Sequence, residues 1–259
     1  MKIAEIVSEI ERYAPLHLQE SYDNAGYMCG SPENEITGIL LAIDITDRVV
    51  EEAIGNGCNL IISHHPIIFR GIKSLTPDTF VNRALIKAIR NDITIYAAHT
   101  NMDSATNGVS MMMAEKIGLR DCRILLPKED EDCGLGIYGE LENETDPIEF
   151  IKTVKKQFQC QAVKHSAICK PAIKRVAVCG GAGAEFIERA IKVGADIYIT
   201  GDIKHHDWYR AENRIIIADI GHYESEQFTK ELFFNILKKK ITNFALLYSK
   251  CDKNPVFVI

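Results

Sequence analysis

The stretch over residues 36–66 constrains the fold more than any other. It reads ITGILLAIDI, then TDRVVEEAIGNG, then CNLIISHHP. The first and third runs are apolar and rich in β-branched residues. The middle one is amphipathic, opens on Thr46 and closes at glycine. This is a strand–helix–strand unit, and a crossover of a dozen residues joins parallel strands rather than a hairpin. The rhythm then repeats. Pro77 opens a predicted helix over 77–89, a strand ITIYAAH follows over 93–99, and a helix over 109–117 closes at Gly118. Alternation of this kind predicts an α/β fold with a largely parallel sheet covered by helices.

Residues 126–143 break the pattern. They combine Pro127, an acidic run over 129–132 and three glycines, Gly134, Gly136 and Gly139. We place a lobe boundary there, giving lobes of 1–126 and 127–259, with the C-terminal helix free to pack back on the first. A helix follows over 147–158, and Arg175 begins a second strand–helix–strand unit. Its sequence, RVAVCGGAGAEFIERAIKVGADIYITGD, aligns with the first so that Ala53-Ile54 meets Ala190-Ile191, Gly57 meets Gly194, and Ile62-Ser63 meets Ile199-Thr200. After the next strand of each half comes a histidine with a carboxylate four residues later, His99/Asp103 and His222/Glu226. Two related α/β lobes from a duplication are the simplest reading.

Composition excludes several classes. Of 259 residues 46% are hydrophobic and 25% charged, the balance of an ordinary globular protein. No run approaches the roughly 20 apolar residues of a membrane span. The opening MKIAEIVSEIERY alternates apolar and charged residues instead of forming a secretory signal, so a cytoplasmic location is expected. A net charge of −6 without a concentrated basic face argues against nucleic acid as a partner. The eight cysteines are widely spaced, which points to reduced thiols and away from zinc fingers or CxxC chemistry.

Functional side chains in open α/β sheets gather beyond the carboxyl ends of strands. His64 and His65 directly follow the third run of the first unit, and adjacent residues of an extended chain point to opposite sides. Such a pair suits two neighbouring ions better than one. Asp103 and Glu226 each return to the face of the preceding histidine if the chain turns helically. Glu226 reads either as a helix-start residue or as a bridging carboxylate. Imidazole and carboxylate without thiolate suit Zn, Mn, Fe, Co or Ni. Two such ions about 3.5–4 Å apart would activate a water for hydrolysis. His99 is then a further ligand or a catalytic general acid/base. CGGAG (179–183) is a tight turn or an anion cradle. Asp202, His205 and His206, which follow a strand as His64 and His65 do, are expected at most to support the ligands from behind or to line the pocket.

The motifs SYDNAG (21–26), SHHPIIF (63–69), AAHTNMD (97–103), TGDIKHH (200–206) and GHYESE (221–226) occur in this order. Together they resemble the YbgI-like family of GTP cyclohydrolase 1 type 2 homologues over almost the whole chain. The resemblance implies two related α/β lobes with a dinuclear metal centre in the cleft between them, and a homohexameric toroid. It places metal ligands on His64, His65, Asp103, His222 and Glu226, with His99 adjacent. Tyr22 stands where the first motif usually has tryptophan. The short 126–143 connection leaves no room for the extra domain some relatives carry there. The activity implied is metal-dependent hydrolysis of a nucleotide-like or other small molecule. A non-catalytic metal-binding regulator or scaffold is the alternative.

Overall fold

The computed structural model describes residues 1–128, 132–240 and 243–259, so positions 129–131 of the acidic run lie outside the described residues. Two compact units emerge, one of residues 1–105 with 229–253 and one of 106–228 with 254–259. The first contains α1 (Ile3–Tyr13), β1 (Gly26–Cys29), β2 (Gly38–Ala42), α2 (Asp47–Gly55), β3 (Leu60–Ser63), α3 (Phe80–Arg90), β4 (Thr94–Ala97) and α4 (Thr100–Ser104). The second opens with α5 (Val109–Lys116), β5 (Arg120–Pro127), β6 (Gly134–Thr145), α6 (Pro147–Gln157) and β7 (Lys164–His165). It continues through β8 (Ile173–Ala182), α7 (Ile187–Lys192), β9 (Ile197–Gly201), β10 (Ile216–Asp219) and α8 (His222–Glu226). The chain then returns to the first unit with α9 (Thr229–Leu237) and β11 (Ala245–Tyr248).

Among the described residues the first unit has a five-stranded sheet in the order β1-β4-β3-β2-β11. All its neighbours are parallel except β1, which runs antiparallel to β4. Every residue of β2, β3 and β4 is buried, as expected of strands covered on both faces. Leu40, Ala42, Ile61 and Ile95 pack on Val49, Val50 and Ala53 of α2 and on Ala84, Leu85 and Ala88 of α3. Both helices begin at a threonine whose hydroxyl accepts an N–H from the first turn, Thr46 from Val49 at 3.3 Å and Thr79 from Asn82 at 3.2 Å. That cap, rather than Pro77, sets the start of α3 at Phe80. In α1, Ile3, Ile6, Val7 and Ile10 fall on one buried face, and α9 packs against both α1 and β2.

The second unit has a six-stranded sheet in the order β5-β6-β8-β9-β10-β7, again among the described residues. Only β8, β9 and β10 are mutually parallel; β5, β6 and β7 pair antiparallel. Alternate residues enter two cores. Val176, Val178, Ile197, Ile199 and Ile216 join one with Phe150 and Val154 of α6. Ala177, Cys179, Tyr198 and Ile217 join the other with Ile187 and Ala190 of α7. The two units therefore share one order of parallel strands, although α3 joins β3 to β4 and only a short 3-10 turn joins β9 to β10. Strands β2, β3 and β4 match β8, β9 and β10, and the five-residue helices α4 and α8 follow the last strand of each set.

Three expectations are corrected. The units divide at 105/106 and 228/229 rather than at 126/127, because α5 and β5 pack against β6 and β8 of the second sheet. The segment 126–143, read as a connection, falls largely within two antiparallel strands, β5 and β6. The single C-terminal helix expected from His222 onward is two helices, and the chain passes from one unit to the other between them.

Candidate metal centre

In the first unit β3 ends at Ser63, and the next two residues hydrogen-bond to the last residue of β2 and the one after it. His64 N–H donates to Ala42 O at 3.2 Å and His65 N–H to Ile43 O at 2.9 Å. With the strand ended, side chains no longer alternate. The expectation that the two rings point to opposite sides is corrected: their centroids lie 5.0 Å apart, and His99 stands 5.2 Å from His64 and 5.4 Å from His65. One ring nitrogen from each of the three lies within 4.8 Å of the others, a group that can hold a metal ion. Asp103, one turn beyond His99 on α4, brings Oδ1 to 3.6 Å from His64 Nε2.

The rings are oriented by their other nitrogens. His64 Nδ1 lies 2.9 Å from Ala98 O, His65 Nδ1 2.8 Å from Asp44 Oδ1, and His99 Nδ1 2.7 Å from Asp23 Oδ1. Carbonyls and carboxylates accept only, so each Nδ1 carries a proton and donates it. Asp23 is itself fully buried at its side chain. Burial pushes its carboxyl up, yet hydrogen bonds from His99 and Thr100 outweigh this and hold it well below the usual carboxylate range. Asp23 also accepts the N–H of Thr100 at 3.0 Å, which ties the SYDNAG loop to the start of α4.

The second unit carries a histidine and a carboxylate in the same order. His222 opens α8, and Glu226 one turn later places Oε2 3.2 Å from His222 Nε2. His222 Nδ1 lies 2.8 Å from Asp202 Oδ2, so this imidazole too donates from Nδ1, with Nε2 turned to Glu226. Glu226 is buried, whereas His222 is 37% exposed and Asp202 56% exposed at the side chain. Asp202 also has a left-handed backbone, φ 56°.

The CGGAG segment is not an anion cradle. The strand continues through Ala182, and Gly181 N–H donates to Ser225 Oγ at 2.9 Å. At Gly181, φ is +63° and an added Cβ would lie 2.3 Å from Glu226 Oε1, so glycine there makes room for the carboxylate. Gly201 similarly admits the start of α8, since a Cβ would stand 2.8 Å from His222 N. His205 and His206 are exposed and face each other, with ring centroids 5.1 Å apart. Among the described residues no metal-competent group includes either.

Sequence reasoning had flagged His64, His65, His99, Asp103, His222 and Glu226. The structure brings the first four together in one unit and the last two together in the other. The carboxylates Asp23 and Asp44 escaped it as partners of histidines. Their signal was present: Asp44 stands just past a buried strand, and Asp23 lies inside a recognised motif. The donor set fits a metal. Imidazoles and carboxylates without thiolate suit divalent first-row ions, and an acceptor behind each ring nitrogen is the usual support of a metal-bound histidine.

The fold and these donors define an α/β protein with a metal-competent site. The family model described as Duf34/NIF3 (NGG1p interacting factor 3) matches residues 1–255, and the chain belongs to that family. It is 39% identical over 230 residues to a Clostridium perfringens protein named GTP cyclohydrolase 1 type 2 homolog, covering 87% of each. The crystal structure of Staphylococcus aureus hypothetical protein SA1388 is similar with a TM-score of 0.91 at 30% identity, covering 100% of this chain and 99% of that one. Reduced HcgD from Methanocaldococcus jannaschii is similar with a TM-score of 0.81 at 28% identity, covering 95% and 97%. Among the described residues no helix is long and apolar enough to cross a membrane.

Proposed function

We propose that the chain is a metal-dependent hydrolase that binds two divalent metal ions through His64, His65, Asp103, His222 and Glu226. Its substrate is a small molecule, with a nucleotide as the first candidate because curated relatives bear the name GTP cyclohydrolase 1 type 2 homolog. The observation that carries the reading is the convergence of His64, His65 and His99, one ring nitrogen of each lying within 4.8 Å of the others, with every ring oriented by an acceptor at Nδ1. When bound, such ions lower the pKa of water and polarise the bond to be broken.

The chain's own groups have separable tasks. Asp23, Asp44 and Asp202 hold the imidazoles in one tautomer. Asp103 and Glu226 supply negative charge to offset that of the ions. His99, backed by Asp23, is a third imidazole beside His64 and His65, suited to ligate or to move a proton at Nε2. The family resemblance further supports a homohexamer, to be checked by light scattering.

The test is turnover of GTP, phosphoesters and amides by protein loaded with Zn, Mn or Fe, beside His64→Ala and Glu226→Ala. Hydrolysis that falls at least about a thousandfold in both variants supports the proposal. Full turnover of a confirmed substrate by a double variant stripped of metal would sink it. Metal binding with no turnover across the panel would favour the regulatory alternative.

A further inference from the structure

The segment that holds His64 and His65 is itself held by a residue from near the end of the chain. At the end of β2, the carbonyls of Ala42 and Ile43 accept the N–H groups of the two histidines, and Asp44 accepts from His65 Nδ1. The N–H groups of Ile43 and Asp44 donate to the carboxylate of Asp252, at 2.8 and 3.3 Å. Asp252 arrives there because β11 runs parallel to β2 and Ser249 N–H donates to Leu41 O at 2.8 Å, extending that ladder. A turn then closes with Asp252 N–H on Ser249 Oγ at 3.1 Å. Where the ladder stops, the Asp252 side chain takes over as acceptor.

This carboxylate is fully buried at its side chain and pairs with Lys230 Nζ at 2.8 Å, the lysine being 13% exposed. A buried ion pair is a weak source of stability compared with apolar residues of the same volume. Its distinctive product is geometry: two backbone N–H groups and one ammonium converge on a single carboxylate, and Asp44 leaves that anchor facing His65.

We propose that Asp252 is a positioning residue for the metal site, fixing Ile43 and Asp44 so that Asp44 keeps His65 with its proton on Nδ1 and its lone pair on Nε2. The consequence for metal affinity rests on the metal-binding reading above; the effect on the His65 tautomer does not.

Asp252→Asn keeps the size of the side chain but loses its charge and offers an NH2 group to donors. Glu52→Gln is the matched control. The Glu52 carboxylate accepts from Ser249 Oγ at 2.6 Å, Lys250 N–H at 2.9 Å and Cys251 N–H at 3.1 Å, so it anchors the same turn through residues 249–251. Imidazole 15N NMR of metal-free protein, at a pH where the rings are neutral, reads the tautomer. Competition with a chelator reads Zn affinity.

The expected result is Nδ1–H at His65 in the parent and in Glu52→Gln, a mixture of tautomers in Asp252→Asn, and about tenfold weaker Zn binding in that variant alone. A parental tautomer in folded Asp252→Asn, with Zn affinity within about twofold of the parent, overturns the proposal. Equal shifts in Glu52→Gln overturn it as well, because they would reduce Asp252 to general packing. If Asp252→Asn does not fold, Asp252→Glu keeps the charge but displaces the carboxylate, and an unshifted His65 tautomer there is likewise fatal. A parent that binds no Zn, with the tautomer still shifted in Asp252→Asn, would remove the metal reading and leave the positioning role standing.

Discussion

The two units orient their histidines by the same device at two levels of shielding. In the first, His99 is backed by Asp23, whose side chain is fully buried and also takes the N–H of Thr100. In the second, His222 is backed by Asp202, which is 56% exposed and sits at φ 56°. A hydrogen bond kept from water is stronger and less open to competition than one at the surface. His99 and its partner are therefore more fully shielded than His222 and its own, His65 with the 45% exposed Asp44 stands between them, and Glu226 beside His222 is buried.

The largest effect that can break this comparison is expected from Asp23→Asn. Loss of a buried carboxylate behind an imidazole should weaken Zn binding about 10–100-fold, measured by chelator competition. An effect below about threefold would mean that His99 needs no such support. The same variant carries a pH signature. The folded-state pKa of Asp23 lies below the ordinary value, so its contribution to stability is fully present above about pH 4 and is lost as pH falls through the folded value. Urea unfolding of metal-free protein should show the gap between parent and Asp23→Asn narrowing as the solution is acidified below about pH 4. A gap that widens there would reverse the assignment.

A smaller effect is expected from Asp202→Asn. With its partner and itself both solvent-accessible, the carboxylate competes with water for His222, and Zn affinity should fall only about two- to fivefold. The difference between the two variants is the quantity of interest. Equal losses would show that exposure does not set the strength of the support.

Much of this was legible in the sequence for a definite reason. Continuous apolar runs such as LII before Ser63 and IYAA before His99 read most simply as central strands, and polar residues after them fall at the strand ends. That located His64, His65, His99 and His222 without any contact information. What escaped depends on where regular structure stops. The two rings of His64 and His65 converge because β3 ends one residue before them, and a one-residue change in a strand end reverses an argument from alternation. CGGAG read as a tight turn or an anion cradle, whereas the strand runs through it and Gly181 makes room for the carboxylate of Glu226. Long-range returns were equally hidden. Nothing local in ALLY announces that it pairs with β2, or that Asp252 will cap the end of that strand.

The most direct test of metal binding by these donors is elemental analysis of anaerobically purified protein, the parent beside a His64→Ala/Glu226→Ala variant with an unchanged circular dichroism spectrum. Ligation by both units predicts about two metal equivalents per chain in the parent and background levels in the variant. Equal metal in the two proteins, or none in the parent even after exposure to Zn, Fe and Mn, would contradict it.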